Sequence, residues 1–298
     1  MRKKNLIVSA VSLICMVCLV IGVVSGCGKD KAEPTGDASS SAVTGAITVI
    51  SREDGSGTRD AFTELMDVVD ADGNDATVQT AEITNSTSVM MSTVKGNAKS
   101  IGYVSLGSLS DTVKAVSIDG VVPSVETVKD GSYKLQRPFK IAYIDGTLSD
   151  TAKDFLSFIM STEGEKIIGE EGYIGLDTAD TYQPSGVSGT VSLAGSTSVA
   201  PVMNVLADKY KQLNPDVKIE IQESGSSAGI ESALQGAVDI AMSSRELKED
   251  EAKALKAETI ALDGIAVIVN AENGIYNLTS QQIKSIFNGE IKVWEDVK

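Results

Sequence analysis

Apolar and polar positions along the chain fall into short β-type runs alternating with helical patterns. Ile47–Ser51 predicts a strand. After a Gly/Ser-rich loop, Ala61, Phe62, Leu65 and Met66 recur at helical spacing on one face. Ile101–Val104, Val113–Ile118 and Phe139–Ile144 predict further strands, and Thr151–Ile168 predicts one helix with Phe155, Phe158, Ile159 and Ile167 inward. Asp177–Val187, carrying Pro184, Ser185 and Gly186, reads as an internal linker. Beyond it, strands are predicted at Thr190–Ala194, Val217–Gln222, Val238–Met242 and Ile265–Asn270. Helices are predicted at Val199–Leu213, Gly229–Gly236, Glu249–Ala257 and Ser280–Phe287. This alternation implies an α/β fold with mostly parallel sheets. In such folds ligands sit beyond the carboxyl ends of strands, where helices begin.

The first residues follow a different pattern. Met1–Lys4 is basic, Leu6–Val24 is uncharged and mostly apolar, and Val24-Ser25-Gly26 leads into Cys27. Small residues before a cysteine resemble the bacterial lipobox, which implies a signal peptide over 1–26, acylation of Cys27 and anchoring to the cell membrane. A plain membrane span is the alternative, because the apolar run is nearly long enough. Both readings put the remainder outside the cytoplasm, with residues 27–45 as a flexible tether.

Composition then narrows the chemistry. The chain has 298 residues, 26 of them basic and 41 acidic. Without the three basic residues of the leader, 23 remain against 41, a formal charge of −18. So acidic a surface argues against nucleic acid as a partner, and any anion site must be local. There is no histidine, which excludes Ser-His-Asp triads, His-metal sites and the commonest general base. Cysteines stand only at 15, 18 and 27, so no pair beyond the leader can form a disulfide.

Four segments share one design: a strand end, a Gly/Ser/Thr loop, then a helix start. They are Ser51-Arg-Glu-Asp-Gly-Ser-Gly-Thr-Arg59, Ala194-Gly-Ser-Thr-Ser198, Ser224-Gly-Ser-Ser-Ala-Gly229 and Asp239-Ile-Ala-Met-Ser-Ser-Arg245. A helix N-terminus offers unpaired N–H groups and the positive end of its dipole, glycine admits close approach, and hydroxyls add neutral donors. Arg52 adds a fixed charge in a fork geometry. One such loop merely caps its helix; four together point to a small oxyanion. Gly225–Gly229 also fits the G-x-S-x-G pattern, but Ser227 has no histidine base, and Gly55–Thr58 lacks the P-loop lysine. No catalytic residue, metal site or cofactor is expected.

Together these segments resemble the PstS-type phosphate-binding proteins of ABC phosphate importers, over nearly all of residues 46–298. Ile101–Ser105, Ser161–Lys166 and Ile286–Ile291 leading to Trp294 add to the resemblance as packing segments. The resemblance implies a two-lobed, periplasmic-binding-protein-like (type II) fold and a monomeric receptor that passes inorganic phosphate to ABC permease subunits. Carried over by motif, the phosphate-binding residues are Arg52, Ser56, Gly57, Thr58, Thr197, Ser198, Ser226 and Ser244, with Asp54 orienting Arg52 and Arg245 either adding charge or facing solvent.

Two departures stand out. Some family members have a carboxylate where this chain has Ser244; a carboxylate accepts the proton of hydrogen phosphate and repels sulfate. The family's halves also occur here in reverse order around the linker at Tyr182–Gly186, which implies a circular permutation. The expected lobes are then 46–112 plus 266–298, and 113–265, with crossovers near 106–113 and 261–265. Ile291–Lys298 is expected beside Thr44–Thr48. A receptor for sulfate or molybdate, a phosphate-sensing or adhesive lipoprotein, and a phosphatase are the competing readings.

Overall fold

The computed structural model describes residues 43–177 and 180–297. The leader, Cys27 and nearly all of the tether therefore lie outside the described residues. Among those described, no helix is long and apolar enough to cross a membrane.

The chain folds around one nine-stranded mixed sheet. In chain order the elements are β1 Thr48–Arg52, α1 Gly57–Leu65, β2 Glu82–Thr84, α2 Thr87–Gly96, β3 Ser100–Ser105, β4 Val113–Ala115, β5 Ser117–Ile118 and α3 Val125–Lys129. Then come β6 Gln136–Tyr143, α4 Asp150–Ile159, α5 Thr162–Glu170, β7 Gly189–Gly195, α6 Ala200–Leu213, β8 Val217–Glu223 and α7 Ser226–Leu234. The last are β9 Ile240–Ser243, α8 Glu249–Ala254, β10 Lys256–Asn270, β11 Asn277–Leu278 and α9 Ser280–Phe287. The sheet runs β2-β1-β3-β10-β6-β9-β7-β8, with β4 also on β10, while β5 and β11 form a separate parallel pair.

The expectation of mostly parallel pairing holds only in the two wings. β1 is parallel to β2 and β3, and β7 is parallel to β8 and β9. Between the wings β10 is antiparallel to β3, β4 and β6, and β6 is antiparallel to β9. The reason is β10 itself, a 15-residue strand whose first half pairs with β6 and whose second half pairs with β3 and β4. Its polar start, Lys256-Ala257, falls inside the helix expected over Glu249–Ala257, yet α8 ends at Ala254. Likewise the single helix expected over 151–168 is two, broken at Met160–Ser161, where the Ser161 hydroxyl accepts from Gly164 N and caps α5. Leu65, expected inward on α1, is 44% exposed.

Apolar side chains pack on both faces of each wing. Val49, Phe62, Tyr103, Val267 and Phe287 belong to one cluster, and Ile50, Met90, Val104 and Ile268 to another. In the other wing Phe139, Phe155, Leu193 and Tyr210 form one cluster, and Ala142, Ile230 and Ala241 another. Val116, Ile118, Val128, Tyr133 and Leu135 pack with Val49 and Phe62, although the sequence reading gave 113–135 to the other lobe. Helix α3 and strands β4 and β5 lie against β10 and β11, so the chain does not pass between the packed halves near 106–113. It passes between Leu135 and Phe139, and again between Ala261 and Ile265.

The segment 291–297 lies beside residues 45–47, where the sequence reading expects it. Ile47 N donates to Lys292 O at 2.8 Å, Trp294 N donates to Gly45 O at 3.0 Å, and Ala46 bridges Val293. In the linker Pro184–Gly186 is exposed, but Tyr182 is buried against Phe158 and Tyr210, with its hydroxyl donating to Asp154.

Candidate functional site

Four helix starts drawn from both wings meet at one place. Helix α1 begins at Gly57, with the Ser56 hydroxyl accepting from Arg59 N. Helix α7 begins at Ser226 behind Gly225, whose φ of 86° is left-handed and suits glycine. Helix α6 follows Thr197-Ser198. Helix α2 begins at Thr87, behind the Ser86 cap. Their positive dipole ends converge on a set of buried hydroxyls.

Arg52, at the end of β1, is 2% exposed. Its Nε and Nη2 donate to the Glu53 carboxylate at 2.7 Å each, and Nη2 also donates to Thr197 Oγ1 at 3.1 Å. The hydroxyls of Thr58 and Ser198 bond at 2.9 Å. Ser196 Oγ donates to Ser244 Oγ at 2.9 Å, Ser226 Oγ lies 3.4 Å from Ser244 Oγ, and Ser244 N donates to Ser226 Oγ. Gly57 fits only because it lacks a side chain: a Cβ there would stand 2.4 Å from Ser226 Oγ. The structure thus brings Arg52, Ser56, Gly57, Thr58, Thr197, Ser198, Ser226 and Ser244 into one buried cluster.

The backbone links the halves as well, since Ser227 N donates to Gly55 O at 3.1 Å. Behind Arg52 the Tyr103 hydroxyl holds Ser51 Oγ at 2.8 Å and accepts from Arg52 N. Burial pushes that phenol up to about 12, so it remains a neutral support.

The expected roles of Asp54 and Arg245 both change. Asp54 does not hold Arg52; it is largely exposed and accepts from Arg59 Nη1, while the adjacent Glu53 takes the Arg52 fork. Arg245 neither faces solvent nor adds free charge, because it is buried and paired with Glu251 at 2.7 Å and Asp60 at 3.0 Å. It also donates to Ser227 Oγ, so the neighbour of that serine is a guanidinium, which cannot act as a base. A cleft of about 440 Å³ between α1 and residues 245–248 is lined by Asp60, Glu64, Arg245 and Lys248, not by the hydroxyl cluster.

Ser196 joins the cluster from a segment already singled out, whereas Thr87 lies outside all four segments. The Thr87 hydroxyl lies 3.2 Å from both Thr197 Oγ1 and Ser198 Oγ, and the residue is buried. The signal is present: Thr84-Asn-Ser-Thr-Ser88 is a strand end followed by hydroxyl residues and a helix start, without the glycine that three of the four other segments carry.

With this geometry in view, the likenesses to known proteins are specific. The PBP superfamily domain matches residues 35–163 and 180–298. The phosphate-binding protein PstS 2 of Streptococcus agalactiae 2603 V/R is 45% identical over 282 residues, 93% of this chain and 94% of that protein. The crystal structure of a phosphate ABC transporter, phosphate-binding protein from Streptococcus pneumoniae TIGR4 superposes with a TM-score of 0.69 at 46% identity, covering 85% of this chain and 100% of that one. The phosphate-binding protein PstS of Bacillus subtilis 168 aligns at 34% identity over only 113 residues, 37% of this chain and 38% of that protein.

Proposed function

The chain belongs to the PBP superfamily, in its branch of PstS-type phosphate-binding proteins, and from that premise we propose that it is an extracytoplasmic receptor that binds inorganic phosphate between its two wings and delivers it to an ABC importer. The observation that carries this reading is the convergence of Arg52 and the hydroxyls of Thr58, Thr87, Ser196, Thr197, Ser198, Ser226 and Ser244 from both wings on four helix starts. A tetrahedral oxyanion accepts many hydrogen bonds at once, and each bond to a charged group contributes roughly 1.5–3 kcal/mol. Only such a sum offsets the loss of the anion's hydration shell. Contributions from both wings mean that the bound anion favours the closed arrangement over an open one.

The same chemistry counts against a phosphatase. The cluster has donors and one arginine, no histidine, and no group of three or more acidic or cysteine side chains placed to hold a metal among the described residues. The lipid anchor at Cys27 and the hand-over to permease subunits rest on the lipobox-like leader and on the family. The joining of 291–297 to 45–47 supports a permuted order of the halves relative to members that match only in part, such as the Bacillus protein, while the Streptococcus agalactiae relative aligns with this chain over nearly its whole length. A receptor for sulfate or molybdate is the second reading, favoured by Ser244 standing where a carboxylate would repel an unprotonated anion. Calorimetry with phosphate, sulfate and molybdate tests both. Binding of phosphate in preference to the other two is expected, and binding of none of them would sink the receptor reading.

A further inference from the structure

Arg137 and Asp263 are a charged pair that the anion site does not use. They stand opposite each other in the β6–β10 register, where the chain passes between the two packed halves. Both side chains are 1% exposed. Arg137 Nε and Nη2 donate to Asp263 Oδ2 at 3.2 and 3.1 Å. The other carboxylate oxygen accepts from Ser105 Oγ at 2.9 Å, at the end of β3, and from Gly107 N in the turn just beyond it, both in the first wing. The remaining arm, Arg137 Nη1, donates to the carbonyl of Ser244 at 3.2 Å in the second wing. One continuous set of charged hydrogen bonds therefore runs from β3 through both crossover strands to a residue of the anion cluster.

A buried ion pair is a weak source of stability, because desolvation opposes its Coulomb attraction and apolar replacements often do as well. Its fixed geometry is another matter: five donors in a planar fork hold their partners in set directions. The Ser244 N–H and hydroxyl face Ser226 and Ser196. Holding its carbonyl from behind sets where those two groups point.

We propose that Arg137 and Asp263 are positioning residues, which lock the Ser244 peptide to the joint between the wings so that the site's geometry depends on the joint. This rests on the anion-receptor reading above. The test pairs melting temperature with phosphate calorimetry on the whole chain. Arg137→Met combined with Asp263→Leu removes both charges together, an exchange that buried pairs often tolerate. The expected result is a folded protein of similar melting temperature that binds phosphate about tenfold more weakly, the scale of one charged hydrogen bond. Wild-type affinity in the folded double variant overturns the proposal. If that variant does not fold, Arg137→Lys decides, because a single ammonium cannot span Asp263 and the Ser244 carbonyl. Weaker binding supports the proposal and unchanged binding overturns it. Ser244→Ala supplies a second readout: in either background its cost in affinity should be smaller than in the wild type, whereas additive losses mean that the pair does not act through Ser244. A wild-type chain that binds no phosphate, sulfate or molybdate defeats the receptor reading itself, a result distinct from unchanged affinity in the variants.

Discussion

Arg52 and Arg245 are both buried arginines paired with acids, but they face different partners. Arg52 keeps one arm on Thr197 across the halves, whereas Arg245 is held by Glu251 and Asp60. Arg52→Ala is therefore expected to weaken phosphate binding on the order of 100-fold, the scale of one strong charged contact. Arg245→Ala should chiefly lower the melting temperature by leaving two carboxylates unpaired; an equal affinity loss at Arg245 in a titration would contradict this. Thr87→Val, nearly isosteric, leaves the Ser86 cap on α2 intact and should weaken phosphate about tenfold if its hydroxyl reaches the anion. Thr87→Ser should bind like the wild type, and calorimetry separates the two. Ser244→Asp should lower sulfate affinity more than phosphate affinity, because a carboxylate accepts the proton of hydrogen phosphate and repels an anion that has none. Failure of sulfate to compete with phosphate in the natural protein would give that acceptor role to another group, with Glu53 the nearest carboxylate to Arg52. At this scale the motif run Ser51–Arg59 identified Arg52 but not its partner. Glu53 and Asp54 are adjacent acids, and which one folds back on the guanidinium depends on the strand-to-loop turn and on Arg59 drawing Asp54 away.

The elements that sequence reasoning recovered are those whose pattern is local. Helices α6 and α9 carry regular apolar faces, and β3 and β7 are short apolar runs, so their periodicity stood out. Strand β10 was half missed because its burial changes along its length: its first residues are exposed or half-buried and its last eight are buried. Only tertiary pairing with β6 makes Lys256–Thr259 a strand, and no local signal announces it. The break between α4 and α5 was legible in principle, since Ser161 followed by Glu163 and Glu165 is a helix-start signature placed inside an apolar period. Helix packing at the site yields a sharper expectation. At Gly57 a methyl would meet both Ser226 Oγ, at 2.4 Å, and Ser226 Cβ, at 3.0 Å, so α1 and α7 could not close together. Gly57→Ala should reduce phosphate affinity by at least about tenfold, consistent with a few tenths of an ångström of forced separation across charged hydrogen bonds. Gly96→Ala, where nothing lies within 4 Å, is the control and should be neutral or stabilising by up to about 1 kcal/mol. Equal affinities for the two variants in calorimetry would mean that closure does not require the contact seen here.

For the whole molecule, the order of the segments rather than their pattern carried the information. Apolar periodicity could not have shown that the ends of the fold meet; that expectation came from the order of the Gly/Ser/Thr segments, and the chain runs from β11 and α9 to residues 291–297 beside 45–47. The same order misplaced the first crossover, because β4, β5 and α3 look like the start of a new lobe until their pairing with β10 and β11 is known. This arrangement makes a direct test of whether chain order matters to the site. The exposed turn at Ser185–Gly186 is a place where the chain can be opened, and residues 43 and 297 flank the segments that already hydrogen-bond to each other. A variant that begins at Gly186, joins residue 297 to residue 43 by a short flexible linker and ends at Ser185 keeps every strand pairing of the sheet. It also leaves Tyr182 on its new tail within reach of Asp154, losing at most the Ser185 bond. Because the affinity arises from side chains that the fold brings together, it should bind phosphate as tightly as the natural order. Its melting temperature should fall by only a few degrees, about what one or two frayed contacts remove. A folded variant that no longer binds would mean that the site depends on an unbroken chain through 182–187 within the second wing.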